Sequence, residues 1–63
     1  MYNMIEIVGV SSESFAKATE SAVLSVAKHK EACWFEVVEL RGGVRDGKIE
    51  FQVKVKIAVK AQE

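Results

Sequence analysis

From Phe51 to Lys60 the chain alternates: Phe51, Val53, Val55, Ile57 and Val59 are apolar, whereas Gln52, Lys54, Lys56 and Lys60 are polar. A period of two is that of a β-strand with one face on a core and the other face elsewhere. An apolar layer must therefore lie over one side of this segment. Upstream, Phe15, Ala18, Thr19, Ala22, Val23, Val26 and Ala27 recur at three- and four-residue spacing, with Lys17, Glu20, Ser21, Ser25 and Lys28 on the other side, which predicts an amphipathic helix. Ser11-Ser12-Glu13-Ser14 offers it a hydroxyl N-cap and an early acidic residue, and Lys28, His29 and Lys30 place cations at its negative end. Tyr2 to Val10, with Ile5, Ile7 and Val8 and a glycine at Gly9, reads as a strand running into a short turn. Cys33 to Val44 and Lys48 to Lys60 read as two more strands, joined through Arg45-Asp46-Gly47, where Asp-Gly is a hairpin signal. The order is β-α-β-β, an α+β class. No linker, repeat or low-complexity tract interrupts it, so residues 1–63 are read as one domain.

Size then decides what supports such a fold. A chain of 63 residues removes only about 60% of its unfolded surface from water, and domains of this size often draw on disulfides, metal or partner subunits. Cys33 has no second cysteine and His29 stands alone, so neither a disulfide nor a metal-ligand cluster is expected within one chain. Oligomerisation is the remaining route. Nine basic and nine acidic residues balance, leaving no net field for a polyanion, so nucleic acid is not an expected partner. No targeting segment or apolar run long enough for a bilayer is visible, so no membrane partner is expected either, and the unpaired thiol suits a reducing interior. A cytoplasmic protein is expected. Cys33 itself reads as a small buried or interfacial apolar residue.

The faces of the strands carry the functional expectation. The apolar row of the last strand should meet the helix, joined by Phe35 and Val37, which sends Trp34, Glu36, Val38 and Leu40 to the second face beside Gln52. A hairpin centred on Asp46-Gly47 gives the wrong parity for this, and one extra residue at Gly42-Gly43 restores it, so a bulge is expected there. Trp34 would then lie opposite about residue 58, about 20 Å from Gln52 at ~3.3 Å per residue. An indole supplies a stacking surface, and a glutamine has the donor and acceptor that read the edge of a heterocycle. A flat ring held by both must bridge two subunits. A second face mixing tryptophan, valine and leucine with charges also invites a symmetric partner.

Ile5-Glu6-Ile7-Val8-Gly9-Val10-Ser11, Ser14-Phe15, Trp34-Phe35-Glu36-Val37-Val38-Glu39, Arg41-Gly42, Asp46-Gly47 and Phe51-Gln52-Val53 together resemble the dodecin family over nearly the whole chain. The resemblance implies a three-stranded antiparallel sheet partly wrapping one helix, with twelve copies forming a hollow shell. It implies flavins held in pairs at subunit contacts, stacked on Trp34 and bonded along the pyrimidine edge by Gln52. The expected cofactor is FMN, or else riboflavin or FAD, with coenzyme A as a further ligand. Arg41 matches a basic family position, Lys60 replaces an arginine and Glu39 matches a position near the ribityl chain. Lysine keeps the charge but loses the bidentate fork. The chain departs from the family pattern at Tyr2-Asn3-Met4, where a Lys-Lys pair is common, at Ile57-Ala58-Val59-Lys60, where Val-Gly-Phe-Arg is usual, and in a turn one residue shorter.

Storage and photoprotective quenching of flavin in a dodecameric shell is thus the function expected, without catalysis. A shell for another cargo such as coenzyme A, or a purely structural assembly with Trp34 as an interface anchor, is the alternative. A flavin-dependent enzyme fits least: the chain offers no nucleophile-base pair, and stacked ring faces would be closed to substrate. Composition alone makes Gln52, Arg41 and Lys60 solvated surface residues. The family pattern makes them ligand contacts.

Overall fold

The computed structural model describes residues 1–61. Strand β1 (Tyr2–Ser11) is followed by helix α1 (Phe15–Ala27), strand β2 (Ala32–Arg45) and strand β3 (Lys48–Lys60), the β-α-β-β order expected. The sheet is antiparallel with order β1-β3-β2. The last strand in sequence is therefore the central one. Its backbone bonds on both sides and its odd-numbered row lies under the helix, so Val53, Val55 and Ile57 are fully buried and Val59 nearly so.

Across from that row the helix presents Ala18 and Ala22, both buried. Small residues let the helix approach closely, and Gly9 of β1 completes the fit. A Cβ at Gly9 would run into the Ala18 carbonyl oxygen and lie 2.8 Å from the Ala22 Cβ. Ile5, Ile7, Val23, Val26, Ala32 and Phe51 pack around this centre, and Phe15 meets Phe51 edge-on at 5.0 Å.

Of the serine run, Ser14 is the helix cap: its backbone is extended and its Oγ accepts from the Lys17 N–H at 3.0 Å. Ser11 Oγ accepts from the Glu13 N–H at 2.9 Å and shapes the turn before it. Glu13 precedes the cap, so the acidic residue expected in the first turn is not there. Lys28 is the C-cap, and the His29 and Lys30 N–H groups both donate to the Val26 carbonyl at 3.0 Å. At the hairpin, Asp46 (φ 52°) and Gly47 (φ 76°) both occupy the left-handed region. A two-residue turn of type I′ needs this, and Asp-Gly meets it at low cost.

The bulge is not at Gly42-Gly43. Those glycines pair regularly with Phe51 and Glu50, and the register shifts instead between Val37 and Glu39, with a second irregularity between Ala32 and Trp34 at Cys33. Gly42 answers to close approach: a Cβ there would lie 2.8 Å from the Glu50 carbonyl oxygen. Because the extra residue is Val38, the residues between it and the glycines change face relative to expectation. Leu40 pairs with Val53, on the side of the helix, whereas Glu39 and Arg41 join the second face. Cys33 is not buried within the chain: it is exposed, with its Sγ 3.7 Å from the Glu31 carbonyl oxygen.

The sheet outruns its cover. A 13-residue helix spans about 20 Å, while the molecule extends 47 × 19 × 14 Å. Leu40, Val44 and Ile49 consequently stay exposed although their register sets them on the helical side. Phe35, paired with Ile57, is also about half exposed, at the edge of a groove of 290 Å³ shared with Ala16, Thr19, Glu20, Val23 and Leu24.

Candidate functional site

On the second face three rows of side chains run side by side. Strand β1 contributes Tyr2, Met4, Glu6, Val8 and Val10, and β3 contributes Gln52, Lys54, Lys56, Ala58 and Lys60, each opposite its β1 partner. Strand β2 adds Trp34 and Glu36 before its bulge and Glu39, Arg41 and Gly43 after it. Tyr2, Met4, Val8, Val10 and Trp34 are all about half exposed.

The expected ligand residues fall into two groups along this face. At one end Trp34 pairs with Ala58, which Met4 flanks on its other side. Ala58 is fully buried between those neighbours, while the Trp34 ring keeps 50% exposure. Lys60 lies two residues on in the same row, about 7 Å along the strand, and its N–H donates to the Glu31 carbonyl at 2.9 Å. An indole face and an ammonium thus sit within reach of one ligand.

Six residues along β3, at the other end, a polar network surrounds Gln52. Arg41, its direct cross-strand partner, donates from Nε to Gln52 Oε1 at 2.9 Å. Gln52 Nε2 donates to Glu50 Oε1 at 2.9 Å. Glu39 lies between two cations, 3.9 Å from Arg41 Nη1 and 3.9 Å from Lys54 Nζ. Gly43 stands diagonally from Gln52, and a Cβ there would be 3.9 Å from Gln52 Nε2. With only hydrogen at Gly43, that side of the amide stays open. The Val38 bulge builds this group, since without it Arg41 and Glu39 would face away from Gln52.

Glu50 and Lys54 had no part in the expected site. Spacing puts Glu50, Gln52 and Lys54 in one row, because residues two apart on a strand share a face, but it does not mark which of them touch. Among the described residues no three His, Cys, Asp or Glu side chains gather where a metal ion could be held. No helix of the described residues is long and apolar enough to cross a membrane.

A family model described as Dodecin matches residues 1–62. The chain belongs to the dodecin family. Its dodecin relative from Thermus thermophilus is 31% identical over 65 residues, covering all of this chain and 94% of the relative. The solved dodecin of Streptomyces coelicolor superposes with a TM-score of 0.91 at 31% identity, over 100% of this chain and 93% of that one. The dodecin fold is therefore established here in sequence and in architecture. Another solved structure, the calcium-chelating immunodominant antigen calcium dodecin of Mycobacterium tuberculosis, with a novel calcium-binding site, matches with a TM-score of 0.81. It is 25% identical over 98% of this chain and 91% of its own. Dodecins are small binding proteins.

Proposed function

We propose that this dodecin binds flavin without catalysis, storing it and quenching its excited ring at contacts between subunits of a dodecameric shell. The observation that carries the reading is that Trp34 and Gln52 share one face but stand six rungs apart, about 20 Å at the rise of a strand. A ring held by both must lie between the Trp34 of one subunit and the Gln52 of another. A half-exposed indole with no ring stacked on it among the described residues, and an amide flanked by charges, fit the apolar faces and the polar edge of an isoalloxazine. When bound, the flavin supplies the light-absorbing ring. The chain's part is to hold it, orient it and exclude water.

The cations divide by position. Lys60 beside Trp34, in no ion pair among the described residues, is the cation that would meet a ribityl phosphate, which favours FMN over riboflavin. Arg41 commits its Nε to Gln52, which makes it first a support of the ring-edge contact. Glu39, held between Arg41 and Lys54, stands where a ribityl hydroxyl could donate. The exposed, lone Cys33 suits a reducing cytoplasm.

Titration of the apo-protein with FMN and riboflavin, followed by flavin fluorescence, tests the reading. Quenching that saturates near one flavin per chain and disappears in Trp34→Ala is the expected result. An undiminished fluorescence with both flavins would sink it and move the weight to coenzyme A or to a structural shell.

A further inference from the structure

Gln52 can read a ring edge only if its amide points a fixed way, and a glutamine amide is nearly symmetrical in shape. Its neighbours decide which end is oxygen. Here the two neighbours are of opposite kind. Arg41 Nε–H can only donate and lies 2.9 Å from Oε1, and the Glu50 carboxylate can only accept and lies 2.9 Å from Nε2. Turning the amide over would set N–H against N–H on one side and oxygen against carboxylate on the other. Both contacts would be lost and replaced by repulsion.

We propose that Glu50, with Arg41, is the positioning residue that locks the Gln52 amide, and that the lock makes the site selective for a ring bearing adjacent N–H and C=O groups. With one N–H engaged by Glu50 and one lone pair by Arg41, Gln52 keeps one N–H and one lone pair for a ligand. That remaining pair matches a ring imide or lactam whose N–H points toward the Arg41 side and whose carbonyl points toward the Glu50 side. Gly43, the residue paired with Glu50, has no side chain to crowd the amide from across the hairpin. A ring with its nitrogen alkylated meets the Gln52 acceptor without a donor. This rests on the flavin reading and adds to it the residue that fixes which donor and acceptor Gln52 offers to the ring edge.

The test compares riboflavin with N3-methylriboflavin, by fluorescence quenching, on the unsubstituted protein, Glu50→Gln and Glu50→Ala. Glu50→Gln keeps the shape and removes the obligate acceptor, so only the Arg41 Nε–H still holds the amide one way round. The unsubstituted protein should prefer riboflavin by about tenfold or more, the scale of a hydrogen-bond partner left unmet. Both variants should lose riboflavin affinity about fivefold and narrow that preference, with quenching at saturation unchanged because Trp34 still stacks. An equal loss for both ligands, or no change in the preference, would overturn the lock and leave the flavin reading standing. Failure of the unsubstituted protein to quench riboflavin at all would overturn both.

Discussion

Trp34 and Gln52 contribute differently to a bound ring, and their replacements should separate. Trp34→Ala removes the stacking surface and with it the quenching. Gln52→Ala leaves the indole in place, so quenching at saturation should persist while affinity falls about tenfold, the worth of one or two hydrogen bonds in a sheltered site. A fluorescence titration of each variant checks this. Equal loss of quenching in both would mean that Gln52 holds the assembly and not the ring. At this scale the sequence was informative where a residue type is scarce. The single tryptophan stood out, and its pairing with residue 58 was legible from the hairpin. Glu50 was not, because a lone glutamate in a strand has the same pattern whether it faces water or keys an amide. Only its 2.9 Å contact distinguishes the two.

Among the elements, the helix and sheet meet through residues without bulk, so adding bulk there should be costly. Gly9→Val would drive a branched side chain into the Ala18 carbonyl and the Ala22 Cβ, lifting the helix from the sheet at about 1–3 kcal/mol. A denaturation midpoint displaced downward with an unchanged slope is the expected signature. Ser14→Ala, which removes the acceptor for the Lys17 N–H, should cost about 1 kcal/mol in the same assay. Strand and helix limits were readable because their periods are strict over many residues. The bulge was not. Glycine is permissive, which makes Gly42-Gly43 the natural place to expect an irregularity, yet what Gly42 supplies is the missing side chain that a tight approach to the Glu50 backbone needs. Val38, with nothing in its side chain to mark it, takes the extra position. One residue of register then turns Leu40 to the helical side and brings Arg41 beside Gln52, so the polar half of the site could not be placed from alternation alone.

For the molecule as a whole, the decisive quantity is how little one chain buries. Its core is Ala18, Ala22, Val53, Val55, Ile57, Ala58 and Val59. Three of these are alanines and none is aromatic, a modest return against the entropy of ordering a chain this long. Outside that core Tyr2, Met4, Val8 and Val10 form a half-exposed apolar edge along β1, and Trp34 stands across the same face. If copies of the chain cover that face, folding and assembly are linked, and the melting temperature should rise with protein concentration. Val8→Lys is the sharpest probe. Val8 is 44% exposed within one chain and pairs with Lys54 of the same chain, so the new ammonium faces that like charge in monomer and assembly alike, stays in water in a monomer, and is desolvated only in an assembly. Sedimentation should then show smaller species, and the concentration dependence of melting should weaken. Flavin quenching should fall as well, although Trp34 and Gln52 are both untouched, because the two ends of the site come from different copies. Full quenching by a species that sediments as a single chain would refute the bridged site, since no ring spans the distance from Trp34 to Gln52 within one sheet.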